Sequence, residues 1–409
     1  MKYSITAPRV EDGVINLPTS KSISNRLLLL SAICGGGRLP DALSDCDDTN
    51  VMLAALRSDL SHVDVGAAGT SMRFLTAYLA TIPGQHIITG SERMKQRPIA
   101  VLVDALRSLG ASISYLENEG CPPLKIIGGG LRGGKVSLPG DVSSQYISAL
   151  MMVGPTLSGG LEIELSGKMV SVPYIEMTRG LMRSFGVDVS IVGNHISVPQ
   201  MCYSYRQMRV EADWSAASYW YQIAALCPGR KFKLMGLSHD SLQGDSACAS
   251  IASKYFGVQS SFLPDGVVIS SPMNAVSRTL DYDFSNQPDL AQAFVALSCF
   301  RRNPIQASGL ESLRIKETDR LEALKAELHK VGCDIQVLPN CNVLYDGNMS
   351  LPQSDAVLQT YKDHRMAMCM APAAILGRQL LMDDPAVVSK SYPRFWDDLM
   401  SVGFLVENV

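Results

Sequence analysis

One sequence shape recurs through this chain: an amphipathic helical stretch, a glycine where it ends, a strand, a polar turn and a second strand. It reads VLVDALRSLGASISYLENEGCPPLKII, GLMRSFGVDVSIVGNHISV, IASKYFGVQSSFLPDGVVIS, ALKAELHKVGCDIQVLPNCNVLY and finally DDLMSVGFLVENV. The helix-ending glycines are Gly110, Gly186, Gly257, Gly332 and Gly403, spaced 71 to 76 residues apart. Glycine suits the left-handed position that closes a helix, and a fixed period of this length implies stacked supersecondary units. A chain of 409 residues has room for five to six such units and is too long for one ordinary core, so two domains are expected. The first unit is truncated: the helical stretch Val51 to Arg57 runs to Val63-Asp64-Val65-Gly66 with no room for the paired strands.

Each unit carries a second helix after a strand-like run, and its start is chemically unusual. VINLP leads to Ser20-Lys21-Ser22-Ile23-Ser24-Asn25-Arg26, and VDVG leads to Ala67-Ala68-Gly69-Thr70-Ser71-Met72-Arg73. KVSLPGD leads to Ser143-Ser144-Gln145-Tyr146, MRVEAD to Asp213-Trp214-Ser215, Asp289 opens LAQAFVALSCF and Asp363-His364-Arg365 opens MAMCMAPAAIL. Arg97-Pro98 and Ser171-Val172-Pro173-Tyr174 read as helix starts with an early proline. Any one of these is a plain N-cap. Repeated in every unit, and packed in a common orientation, they would form one surface of N–H donors and cations.

The densest charge lies in Arg314-Ile315-Lys316-Glu317-Thr318-Asp319-Arg320, followed by Leu321, Leu324, Leu328 and Val331 at helical spacing. Thr318 is the expected N-cap and Asp319 a first-turn acid. Taken alone, the run is equally a solvated helix end with i,i+4 pairing. With Lys21, Arg26, Arg73, Arg97, Arg365 and Lys390 it forms a cation excess, opposed by few acids besides Glu317 and Asp289, which suits phosphate and carboxylate groups. An acid held among cations is a candidate for proton transfer.

Composition removes other classes. With 46% apolar and 18% charged residues, a net charge of −3 and a pI near 6.1, neither nucleic acid nor an anionic membrane is the expected partner. The run Leu27 to Cys34 is too short to span a bilayer. Ten cysteines without CxxC or CxxH spacing indicate no zinc site and no disulfide framework, and the dispersed histidines offer no metal site. Reduced thiols in a cytoplasmic protein are expected. Gly128, Gly130 and Gly133 match GxGxxG, but a strand-like KVSLPG follows where a dinucleotide fold needs a helix. Ser20-Lys21-Ser22 lacks the glycine cradle of a P-loop, with Pro18 and Val14 in the glycine places.

LPTSKSISNR, AGTSMR, RMKQRPI with LVDAL, SSQY, SVPYIEM, EADWSAASY, RIKETDR, DHRMAM and SKSYPRFW occur in this order. Together they resemble the 3-phosphoshikimate 1-carboxyvinyltransferase (EPSP synthase) family over nearly the whole chain. The resemblance implies an α/β (α+β) fold of two domains, each built of βαβαββ units as an inverse α/β barrel. By similarity, residues 1–19 with 212–409 form one domain and residues 20–211 an inserted one, with the active site in the cleft between them and closure on shikimate 3-phosphate. The implied reaction moves the enolpyruvyl group of phosphoenolpyruvate to the 5-hydroxyl of shikimate 3-phosphate, without cofactor or metal, in a cytoplasmic monomer that glyphosate would target.

Carried over by motif, Asp289, Glu317 and Lys21 are the implied catalytic residues, Asp289 as base and Glu317 as the group that protonates and later deprotonates the phosphoenolpyruvate carbon. Shikimate 3-phosphate would meet Lys21, Ser22, Arg26, Ser143, Ser144 and Gln145, together with Ser171, Tyr174, Asp289, Ser312 and Lys316. Phosphoenolpyruvate would meet Lys21, Gly69, Arg97, Gln145, Arg320, Arg365 and Lys390. Ala67, Phe74, Ser312 and Lys362 depart from the family pattern, which has Asn, Pro, Asn and Asn there. The UDP-N-acetylglucosamine enolpyruvyl transferase shares the architecture, but it uses a loop cysteine that Ser91-Glu92-Arg93-Met94-Lys95-Gln96 lacks. A catalytically silent anion-binding homologue is the other alternative.

Overall fold

The computed structural model describes residues 1–35, 37–275, 278–353 and 356–409. The chain forms two compact units, one of Met1–Thr19 with Glu211–Val409, the other of Ser20–Val210, and each has its own apolar core. The smaller unit holds helices α1 (Lys21–Cys34), α2 (Asp47–Arg57), α3 (Gly69–Thr81), α4 (Ala100–Ser108), α5 (Ser144–Val153) and α6 (Val172–Ser184). The larger holds α7 (Trp214–Leu226), α8 (Ala247–Phe256), α9 (Ala291–Phe300), α10 (Arg320–Lys330), α11 (His364–Met370) and α12 (Phe395–Ser401).

Among the described residues, five four-stranded sheets share one connectivity. In the smaller unit, His62–Asp64 pairs in parallel with Gly84–Thr89, which meets Leu124–Gly128 and then Ser112–Tyr115 antiparallel. Gly134–Pro139, Leu161–Ser166, His195–Val198 and Ser190–Val192 repeat this order. Each sheet, with the two helices between its first three strands in sequence, is one βαβαββ repeat. In the larger unit the strand Gly13–Asn16 pairs in parallel with Lys231–Met235, although residues 20–210 lie between them in sequence. The smaller unit is thus inserted between the first strand and first helix of a repeat, where Thr19 bridges Ala212. The last repeat borrows its final strand from the N-terminus: Lys2–Thr6 lies between Leu380–Asp383 and Leu405–Asn408.

The two helices of a repeat differ because their sequences do. In α9 (AQAFVALSCF) and α11 (HRMAMCM) every residue is buried, so these are interior helices. In α4, α6, α8 and α10 the buried residues form one stripe, and in α10 that stripe includes Leu321, Leu324 and Leu328, as the spacing predicts. Gly110, Gly186, Gly257, Gly332 and Gly403 all have φ between 72° and 99°, the left-handed closure expected of them. At Gly403 a Cβ would also lie 2.2 Å from the Arg9 carbonyl oxygen.

The truncated unit is α1 and α2, with no sheet of its own among the described residues; α2 leads directly to the strand His62–Asp64 of the next repeat. The extended segment before Val210 replaces part of that cover. Tyr203 donates to the Met152 carbonyl at 2.9 Å, and Tyr205 donates to the Leu39 carbonyl at 2.9 Å while its ring meets Phe185 edge-on. Asp41 and Val210 complete a backbone pairing at 3.1 Å. Removing the ring and hydroxyl with Tyr205→Ala is expected to cost about 2 kcal/mol in urea unfolding. A loss below about 0.5 kcal/mol, the usual range for surface changes, would show that the segment contributes nothing there.

Candidate functional site

Two charged clusters form, one in each unit, and both are built at helix starts. In the smaller unit Ser20 caps α1 through the Ile23 N–H, which places Lys21 and Ser22 in the first turn. Lys21 Nζ lies 3.2 Å from Asp48 Oδ2 at the start of α2, and the Asp48 carbonyl accepts from Ser71 of α3. Arg26 is 2% exposed and ties three helices together: Nε donates to Thr178 Oγ1 at 2.7 Å, one terminal nitrogen to the Ser22 carbonyl at 3.0 Å, the other to Ser148 Oγ at 3.3 Å and the Tyr174 carbonyl at 3.4 Å. None of these acceptors is charged. Burial pushes the Arg26 pKa down to about 10.

Gly69 opens α3 where a Cβ would lie 2.7 Å from an Arg97 terminal nitrogen, so only glycine lets the guanidinium rest against the helix start. Arg97 is 8% exposed and, among the described residues, forms no ion pair. Ser143 caps α5 through the Gln145 N–H, Ser144 is its first residue, and the Gln145 amide donates to Thr70 of α3 at 3.2 Å. Ser171 precedes α6 in a left-handed conformation, φ 55°, and Tyr174 lies in its first turn. Arg73 holds the approach to α4 through the Gly69 and Pro98 carbonyls. The helix itself begins at Ala100, so Pro98 is not its first residue: Ile99 at ψ 0° makes the cap.

In the larger unit Arg320 is the hub. It is 2% exposed and donates through Nε to Asp363 at 2.7 Å, and through its two terminal nitrogens to Glu317 at 2.9 Å and to Asp289 at 3.4 Å. Burial works against its charge, but Asp363, Glu317 and Asp289 outweigh burial and raise its pKa. Lys390 Nζ reaches the other Glu317 oxygen at 3.0 Å, and Arg365 reaches the other Asp289 oxygen at 2.8 Å. Three cations and three carboxylates therefore form one network, with more acid than the sequence alone suggests. Arg365 also approaches the buried Tyr219 hydroxyl at 3.4 Å.

Local structure corrects two helix-start assignments. Asp319, not Thr318, caps α10: its Oδ1 accepts from the Leu321 and Glu322 N–H groups at 3.2 and 3.3 Å, and Arg314 grips its other oxygen at 2.8 Å. Lys316 and Glu317 lie between this cap and the short 3-10 helix Glu311–Ile315, which carries Ser312. Asp289 does not cap α9, which starts at Ala291; its carboxylate points instead at two arginines. Asp363 does cap α11, through the Arg365 N–H at 2.9 Å. Before it, Tyr361 and Lys362 are both left-handed at φ 55°, a conformation that costs non-glycine residues roughly 1–2 kcal/mol each.

Asp48 and Asp245 were not singled out in the sequence. Asp48 shows only as a first-turn acid of α2. Asp245 stands in a short turn before α8, the place that Lys316 to Asp319 hold before α10, and is 4% exposed with Ser215 donating to it. Burial first, then the charge of Asp289, lifts its pKa to about 7, against the opposing pulls of Ser215 and Arg365.

The fold and its charged helix starts define the class: a two-unit α/β scaffold of βαβαββ repeats whose helix starts suit anionic ligands. A family model for EPSP synthase (3-phosphoshikimate 1-carboxyvinyltransferase) matches residues 60–399. The chain is 49% identical to the 3-phosphoshikimate 1-carboxyvinyltransferase of Bacteroides fragilis, covering 99% of this chain and 98% of that one, and 36% identical to that of Vibrio campbellii, covering 95% and 96%. Its fold matches the EPSP synthase of Acinetobacter baumannii with a TM-score of 0.79 over the full length of both chains, at 21% identity. The chain belongs to the EPSP synthase family.

A carboxyl whose pKa lies near 7 when folded and near 3.9 when unfolded binds more protons in the folded state between those values. Its contribution to stability is therefore greatest below about pH 4 and declines up to about pH 7. Asp245→Asn should remove this decline, which urea unfolding at pH 5 and pH 8 measures; an unchanged difference between the two would show that Asp245 is ionised throughout.

Proposed function

We propose that the chain transfers the 1-carboxyvinyl group of phosphoenolpyruvate to the 5-hydroxyl of shikimate 3-phosphate, releasing phosphate. The observation that carries this reading is the Arg320 network: two carboxylates, Glu317 and Asp289, each held by two cations that a multiply charged anion could take over.

Asp289 takes the proton from the 5-hydroxyl, and the oxygen attacks the central carbon of phosphoenolpyruvate. Glu317 gives a proton to the methylene carbon. It then takes one back from the resulting methyl as the carbon–oxygen bond to phosphate breaks, which restores the double bond, and Asp289 passes the hydroxyl proton to the departing phosphate, so both carboxylates end the cycle as they began. Phosphoenolpyruvate competes with Glu317 and Asp289 for Lys390, Arg320 and Arg365, which frees the carboxylates to exchange protons. The same cations, with Lys21, stabilise the charge on the departing phosphate.

Arg97 and Gly69, with Gln145 beside them, bind phosphoenolpyruvate. Lys21, Ser22, Arg26, Ser143, Ser144, Ser171, Tyr174, Ser312 and Lys316 bind shikimate 3-phosphate. The buried Arg26 supports this division, since its partners are neutral and an anionic ligand would complete its electrostatics. Among the described residues no helix is long and apolar enough to cross a membrane.

Phosphate release from shikimate 3-phosphate and phosphoenolpyruvate tests the reaction, with UDP-N-acetylglucosamine as the competing acceptor. Release with the first acceptor alone is expected; release only with the second, or none, would overturn the reading. Glu317→Gln should lower turnover about a hundredfold or more while the KM values stay within about threefold, as for loss of a general acid–base group. Unchanged turnover would remove Glu317 from proton transfer.

A further inference from the structure

We propose that Tyr361 and Glu327 form a latch that positions Arg365 and Asp363 for the reaction, and that Tyr361 acts through these residues without touching substrate. The proposal rests on the functional reading above for its kinetic consequence and on the geometry for the latch itself.

Glu327 lies two turns beyond Arg320 on α10 and is fully buried. Its carboxylate accepts from the Tyr361 hydroxyl at 2.6 Å and from the Gln359 N–H at 2.9 Å, while Lys330 Nζ bonds both its oxygens at 2.9 and 2.8 Å and continues to the Val357 carbonyl at 2.9 Å. Thr360 is fixed in turn by its N–H to Asp383 at 2.7 Å, and its carbonyl accepts from the Asp363 N–H at 2.8 Å.

Residues 359–363 are thus gripped by α10 at two points, through Glu327 at one end and through the Arg320–Asp363 pair at the other. Between the grips stand Tyr361 and Lys362, both left-handed. Each conformation is disfavoured for an L residue, and two in succession are held in place by the surrounding bonds. The side chain that leaves this turn for Glu327 is Tyr361. The residues delivered by the turn are Asp363, which orients Arg320, and Arg365, which holds Asp289. A helix-capping role alone would need only Asp363. The buried carboxylate reaching the preceding turn is what sets its register.

The test uses the full chain carrying Tyr361→Phe, which removes one oxygen. Amide hydrogen exchange at residues 363–365, read without substrate, should quicken by about tenfold or more once the turn is released. Unchanged exchange overturns the latch whatever the activity. In the phosphate-release assay the KM for phosphoenolpyruvate should rise about tenfold while that for shikimate 3-phosphate stays within about twofold, because Arg320 and Arg365 serve the former. Equal rises in both, or none, overturn the positioning role.

Adding Lys362→Gly to Tyr361→Phe supplies a residue that accepts φ 55° freely and should recover most of the lost affinity. Failure to recover overturns the strain argument, and Glu327→Gln, which keeps the shape, serves if Tyr361→Phe does not fold. Wild-type protein that releases no phosphate overturns the functional reading, while the exchange measurement still decides the latch.

Discussion

The guanidinium of Arg320 is the interaction on which the larger unit's chemistry depends. It is nearly inaccessible to water, and burial works against its charge, while Asp363, Glu317 and Asp289 outweigh burial and favour it. Removing one partner of such a group leaves a buried charge uncompensated, at a cost of about 3–5 kcal/mol. The consequence reaches outward. Asp363 can face Arg320 only while the strained turn before α11 is held, and Glu317 only while Asp319, gripped by Arg314, caps α10. Side chains named for catalysis are therefore held by residues that never need meet a substrate.

The two units handle buried positive charge differently. Around Arg320 the cations are already balanced by carboxylates, so on the proposed reading an anion would displace an internal partner, and that displacement would make Glu317 and Asp289 available for proton exchange. In the smaller unit Arg26 is buried among hydroxyls and carbonyls, and Arg97 rests against Gly69 with no ion pair among the described residues. On the same reading, an anionic ligand would supply the missing charge there directly. Lys21, paired with Asp48, follows the first pattern.

Much of the fold was legible because repetition multiplies weak signals. Five left-handed glycines, the hairpins that follow them and the truncation around Val51 to Gly66 could be read from the period. The period shows neither the insertion, which only the family resemblance implies, nor the N-terminal strand completing the last sheet, since pairing between Gly13–Asn16 and Lys231–Met235 leaves no local trace. Candidate site residues were legible where charge and helix starts coincide, as at Lys21, Arg320 and Arg365. Cap identities were less so: Thr318 and Asp319 are both good caps, and only the backbone at Asp319 decides between them. Asp245 and Glu327 were missed for a common reason. Each is one acid in an ordinary stretch, and its role comes from burial and from partners distant in sequence.

A crystal structure of the chain with shikimate 3-phosphate and a non-reacting analogue of phosphoenolpyruvate measures the central claim most directly. The account predicts that the Lys390–Glu317 and Arg365–Asp289 pairs, at 3.0 and 2.8 Å without ligand, open as both cations turn to the analogue's oxygens while Arg320–Asp363 stays closed. Ligands bound with all three pairs intact would contradict it.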